Sequence, residues 1–273
     1  MTRNVQQQVV LENGGTIWLP PSPNFPNTNI PDLSKPDTAQ RYDIGCAYVF
    51  NGKAYYYAYA GGAVKSRMGA SIKNPQDILY RACPTTAAIY ATSIYATTVS
   101  PDGPSANGTF TKDYLKGGHV QCSVGTNDDE DFSRGIVGNS AVTTAGTIRI
   151  DLDGPIPHEV TASTAYIEAM ASQYANIEYN GHVMYPKVGL PTCYAAAGKW
   201  VWVQTWGACW IAPASTVGVN GAIGVVFRQD GSLDKTYQTV SDNISSQYAG
   251  YTIAGVLAGT QAAPFVYLQI AHP

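Results

Sequence analysis

The sequence predicts a mainly β protein: an extended Pro-rich N-terminal arm followed by β-sandwich or small-barrel units with little helix. Three observations predict it. Asn51-Gly52 stands between two apolar runs, and Asn-Gly suits a type I′ hairpin because both central residues need φ > 0. Short β-branched and aromatic segments recur, punctuated by Asp102-Gly103, Asn107-Gly108, Asn220-Gly221 and Asp230-Gly231. No heptad repeat and no long 3.6-residue periodicity occurs.

Residues 1–40 read as the arm. Pro20, Pro21, Pro23, Pro26, Pro31 and Pro36 are six of the 17 prolines in the chain. Each removes a backbone donor and fixes φ, which disfavours helix and central strand and favours polyproline II. The arm also holds Trp18, Leu19, Phe25, Ile30 and Leu33, large apolar groups that a solvated tail seldom carries. These five are the expected anchors by which the arm lies over its own body or a neighbour.

Residues 41–100 read as an N-terminal β unit. Folding about Asn51-Gly52 pairs Phe50 with Lys53, Tyr48 with Tyr55 and Cys46 with Tyr57. Strand alternation then puts Cys46, Tyr48, Tyr55, Tyr57 and Tyr59 on one face. A two-stranded ribbon is marginal alone, so this one must dock on something. Residues 73–82 (KNPQDILYRA) predict a short helix with Asn74 as cap and Pro75 in its first turn. Residues 85–100 predict a strand or strand pair.

Residues 101–185 read as a middle β unit, inserted or second in line. Residues 119–124 alternate as a strand, and 141–151 form another with Ile148 and Ile150 on one face. Residues 162–185 fit either a turn or two of helix or strands; their β-branched and aromatic content favours strands.

Residues 186–273 read as a C-terminal barrel or sandwich. Around 199–205, Trp200, Trp202, Gln204 and Trp206 share one face, and Val201 and Val203 the other. Further strands are expected at 215–220, 223–228, 251–257 and 265–270.

Composition narrows the function. Charged residues make up 13% of the chain, about half the usual share, beside 19 Tyr and 5 Trp. Net charge is −3, and no Lys/Arg cluster exists to track phosphates, which argues against a nucleic-acid partner. No run reaches the roughly 18 apolar residues of a membrane span. The first ten residues lack the apolar core of a signal peptide, so synthesis in a cytoplasm is expected. The five cysteines show no CxxC spacing and read as buried free thiols.

Candidate chemistry is sparse. His119, His158, His182 and His272 match no HExxH or HxxxH pattern. Asp151, Asp153, His158 and Glu159 are near in sequence and could gather a cation, but a polar loop around Pro155 and Pro157 is the simpler reading. The acidic run Asp128, Asp129, Glu130, Asp131 could hold Ca²⁺, yet it lacks the spaced ligands and turn glycine of a calcium loop. Asp128 pairing with Arg134 in a solvated loop is simpler. No G-x-S-x-G, no catalytic Cys signature and no phosphate-binding GxxxxGK[ST] is present. No enzyme, cofactor or metal site is therefore expected.

The hairpin's "Gly, small residue, strand, Asn-Gly, strand, Tyr-Ala-x-Ala-Gly-Gly", then Tyr114-Leu115-Lys116-Gly117-Gly118, VWVQTWG at 201–207 and Val266-Tyr267-Leu268 resemble bacteriophage virion accessory proteins encoded beside the major capsid gene. The similarity spans roughly residues 40–273. It implies a head decoration (cement) protein that binds and stabilises an icosahedral shell. The implied partners are the major capsid protein and further copies of the chain, and the implied location is the virion surface. Trp18, Leu19, Phe25, Ile30 and Leu33 are then the expected capsid or subunit contacts. The shell itself would need a long spine helix, which the sequence does not predict. Alternatives are a fibre, tail or receptor-binding adhesin, and a polysaccharide-active virion enzyme. A glycosidase carboxylate pair cannot be read from sequence, because its members need be near only in space.

Overall fold

The computed structural model describes residues 7–19, 29–73, 77–124, 130–179, 185–214, 217–218, 223–236, 247–254 and 264–272. These are strands, turns and loops, with no α-helix among the described residues. Five strands come first: β1 (Gln7–Val10), β2 (Thr16–Leu19), β3 (Ala47–Phe50), β4 (Lys53–Ala60) and β5 (Ala70–Ile72). Then come β6 (Ile78–Ala82), β7 (Ser93–Thr97), β8 (His119–Ser123), β9 (Phe132–Asn139), β10 (Thr147–Leu152) and β11 (Tyr166–Met170). The last are β12 (Ile177–Glu178), β13 (Lys187–Pro191), β14 (Lys199–Trp210), β15 (Gly224–Phe227), β16 (Leu233–Lys235), β17 (Gln247–Ala254) and β18 (Phe265–Gln269).

The chain divides into two compact units. Among the described residues, one comprises residues within 77–175; the other is discontinuous and comprises residues within 7–19, 29–73 and 176–272. The four-part division at residues 40, 100 and 185 is therefore replaced by an insertion between 73 and 176. The reason is pairing. β4, from the expected N-terminal unit, lies against β14, from the expected C-terminal one, along seven residue pairs from Lys199↔Ala60 to Trp206↔Ala54.

In the discontinuous unit one sheet runs β1-β2-β3-β4-β12-β5-β13-β14-β18-β17-β15-β16. Because β4 also pairs with β14, the five strands β4, β12, β5, β13 and β14 close into a ring. Closure removes open edges from those strands. The β3–β4 hairpin has the expected register, with Phe50 opposite Lys53 and Tyr48 opposite Tyr55. Asn51 and Gly52 have φ of 52° and 69°, as the turn demands. Cys46, Tyr48, Tyr55 and Tyr57 are buried together with Tyr42 and Trp202. The Trp202 ring lies 5.0 Å from Tyr42 and 5.1 Å from Tyr57, centroid to centroid. Such aromatic pairs add roughly 0.5–1.5 kcal/mol beyond area burial.

Two expectations are corrected at this level. Residues 7–19 are not arm but the β1–β2 hairpin, whose β2 pairs with β3. Every proline of the N-terminal region follows residue 19, so these strands keep all their donors. Residues 78–82 are strand rather than helix: β6 pairs with β11 through Ala82↔Tyr166 and Arg81↔Ile167. Tertiary pairing overrides the local helix signal there, and Ile78 is fully buried. The expected cap, Asn74-Pro75, lies outside the described residues. The segment 162–179 resolves to strands β11 and β12.

The inserted unit is an antiparallel sheet in the order β6-β11-β8-β9-β10-β7. Its core gathers Ile78, Ile94, Phe110, Leu115, Ile148, Ile150 and Ile167. The Tyr114–Gly118 motif has a packing role. Leu115 is fully buried, and its N–H donates to Asn139 Oδ1 at 2.8 Å. Gly118 sits where a Cβ would lie 1.9 Å from the Met170 carbonyl oxygen. Asp102 is fully buried and accepts from Arg81 Nε at 2.8 Å and Nη2 at 2.9 Å.

Candidate functional site

The strand β14 builds the chemistry-bearing face. Gln204 is opposite Tyr55, but the next pair is Trp206 with Ala54, so Thr205 is an extra residue in a bulge. Gln204 Nε2 donates to the carbonyls of Trp206, Gly207 and Ala208 at 3.0–3.2 Å, which holds the bulge. A one-residue slip reverses every later side chain. Trp206 therefore leaves the face it was expected to share with Trp200 and Trp202. It packs edge-on to Tyr267 at 5.7 Å and to His272 at 5.1 Å.

This reversal creates an outward aromatic face on β14, β17 and β18. Tyr251 stacks on Tyr267 at 5.4 Å with rings 9° apart. Ile253 and Phe265, 54% and 57% exposed, flank that pair on the side of the β17–β18 connection. From Gln247 to His272 the sequence holds no Lys, Arg, Asp or Glu.

Beside this face a pocket of about 700 Å³ is lined from β4, β13, β14, β18 and three loops, one of them contributing Leu33. Lys53 and Tyr55 come from β4, Trp210 from β14 and Phe265 from β18. Arg67, Thr192, Cys193 and Tyr194 come from the loops. Arg67 has φ of 68°, its carbonyl accepts from Ala212 N–H at 2.8 Å, and its guanidinium lies 4.2 Å from the Trp210 ring. Gly207, at φ 91°, brings β14 against the hairpin: a Cβ there would lie 2.5 Å from the Gly52 carbonyl oxygen and 3.1 Å from Lys53 Cγ. Burial pushes the Tyr55 phenol and the Cys209 thiol each up to about 12.

The expected anchors do not converge. Leu19 is buried in the core of the discontinuous unit, so it is unavailable to a partner. Trp18 is half-buried on β2 opposite Ala47, and Leu33 is half-buried against the same core. Ile30 is 50% exposed. Phe25 lies outside the described residues. Sequence reasoning missed Lys53, Arg67 and Tyr194; no local pattern joins them, because only sheet closure does.

Other candidates are structural. Lys187 Nζ donates to Ser71 Oγ at 2.6 Å and also to the Gln229 carbonyl, and burial lowers its pKa to about 8. That resembles an amine activating a hydroxyl, but Ser71 is fully buried, so substrate has no access and the contact ties β13 to β5. Cys46, Cys83, Cys122 and Cys209 are buried free thiols, and Cys193 is half-buried. Burial pushes Cys46 and Cys122 up to about 12, which makes them inert. Asp151 pairs with Arg149 at 3.0 Å. Asp131 accepts from Val124 N–H at 2.9 Å, and Arg134 donates to the Pro155 carbonyl. Asp128 and Asp129 lie outside the described residues. No group of three His, Cys, Asp or Glu side chains is placed to hold a metal among the described residues. Comparison with protein-family models, curated proteins and solved structures yields no match to this chain.

Proposed function

We propose that this chain is a structural virion protein of a tailed phage, a capsid decoration (cement) protein that binds the assembled head shell. The observation that carries the reading is the charge-free outer face of β17 and β18. Tyr248, Tyr251, Ile253 and Phe265 stand exposed there within a stretch lacking any Lys, Arg, Asp or Glu. Contact cores are depleted in charge and enriched in aromatics, so this face is suited to a protein partner. Stacked, sheet-borne rings lose little entropy on docking. The resemblance of the hairpin and of the later motifs supplies the partner, the major capsid protein. The mechanism is binding energy: attachment to the assembled shell alone stabilises it by mass action, and a symmetric lattice adds avidity.

The test is direct. Virions that encode this sequence are purified, stripped of the protein and remixed with wild-type or Tyr251→Glu/Ile253→Glu protein. Wild type should return to the head and raise the temperature of shell rupture; the variant should fold but not return. Absence of the protein from purified heads, or full occupancy by the variant, overturns the reading. A receptor-binding adhesin is the second reading, favoured by the cationic pocket, and an SDS-resistant trimer found on the tail would point to it.

A further inference from the structure

The pocket shares Phe265 with the neighbouring aromatic face, but its remaining lining is its own and what it binds does not depend on the virion reading. We infer that the Lys53–Arg67 pocket binds an acidic saccharide, a pyranose carrying a carboxylate. Lys53 and Arg67 both line the pocket, and no Asp or Glu does among the described residues. Neither cation is in an ion pair among the described residues. Two cations without a counter-ion, in a chain so poor in charge, attract an anion. A carboxylate of the ligand supplies the missing partner, and the planar fork of Arg67 suits it.

The walls of the pocket are aromatic and hydroxylated. Tyr194 is 61% exposed and Phe265 57% exposed, and Ser66 adds its hydroxyl to that of Tyr194 in the lining. Rings together with hydroxyls suit a ligand that is apolar on its ring face and polar around its rim, as a sugar is. A bare inorganic anion would have no use for the rings, and a wholly apolar ligand none for the cations. The volume, about 700 Å³, lies in the range of small-molecule sites and admits one or two sugar rings.

Stacking on Trp210 and the Ala212 N–H bond hold Arg67, and strand pairing opposite Phe50 holds the backbone from which Lys53 projects. Cations held before the ligand arrives bind it at lower entropic cost.

Titration of the full chain with digalacturonate, a uronic-acid disaccharide, tests the inference by calorimetry. Maltose serves as the neutral control and inorganic phosphate as the bare anion. Digalacturonate should bind at least about tenfold more tightly than either, and severalfold more weakly as salt is raised. Lys53→Gln with Arg67→Asn should remove the preference over maltose; Asn tolerates the positive φ at position 67. Phe265→Ala should weaken digalacturonate without changing the response to phosphate. Equal binding of maltose, binding insensitive to salt, or phosphate as tight as digalacturonate each overturns it. So does an undiminished preference in the folded double variant. Should that variant not fold, the salt and competitor arms on the wild-type chain decide alone. Particle attachment is not read in this experiment, so its failure leaves the decoration reading untouched.

Discussion

Gly52 and Gly207 both have positive φ, but space separates their roles. A Cβ on Gly52 meets nothing within 4 Å, whereas one on Gly207 meets the Gly52 carbonyl at 2.5 Å. Gly52→Ala should therefore cost only left-handed strain, about 1–2 kcal/mol. Gly207→Ala should cost more, because it also forces β14 from the hairpin; denaturant midpoints of the two variants check the order. Asp77 offers a pH test. Burial raises its carboxyl from 3.8 to about 6, against opposing hydrogen bonding from the Ala171 N–H. The folded state then holds its proton between those values while the unfolded state has lost it. Stability from this group is fullest below pH 4, falls as pH rises to about 6, and is flat above, for a total of roughly 2–3 kcal/mol. Asp77→Asn should abolish that slope; melting both proteins across pH 4–7 cancels the other titrating groups. A variant with the wild-type slope would remove Asp77 as its source.

At the scale of elements, the β1–β2 hairpin decides what the N-terminal region does. Leu11, Ile17 and Leu19 are buried, each contributing roughly 1.5–3 kcal/mol against full exposure. Deleting residues 7–19 should lower the melting temperature sharply or prevent soluble folding, rather than release a dispensable strap. A truncated protein that melts like wild type would contradict this. The hairpin at Asn51-Gly52 was legible in the sequence because its turn chemistry, alternation and length all agree. β6 was not, since Asn74-Pro75 sends a local helix signal while Ile78–Ala82 is paired by β11, nearly ninety residues on. The fate of Trp206 was hidden in the same way. Nothing in VWVQTWG marks Thr205 as an extra residue, and only pairing with Ala54 reveals the bulge.

At the scale of the whole chain, fold class was legible from composition and turn spacing, but unit boundaries were not. Boundaries follow from which strands pair, and β4 finds β14 across the entire insertion. The pocket was equally hidden, because Lys53, Arg67 and Tyr194 meet only once the sheet closes. The ends of the insertion lie side by side: Lys73 N–H donates to the Asn176 carbonyl at 2.7 Å, and Asn176 Nδ2 to the Lys73 carbonyl at 3.1 Å. Replacing residues 74–175 by a short Gly-Ser link should therefore leave a folded protein that keeps its aromatic circular-dichroism signature. An unfolded product would mean that the discontinuous unit needs the insertion.

Ring closure through β4 and β14 also bears on how the chain is made. The ribosome releases the Tyr55 and Tyr57 strand long before Trp202, which completes its aromatic cluster, has been synthesised. At usual elongation rates the interval is on the order of ten seconds. The inserted unit has all of its strands by then and can fold in the meantime. The tyrosine ribbon waits with its aromatic face lacking the Trp202 cover, which makes it a segment of the nascent chain on which a chaperone would act.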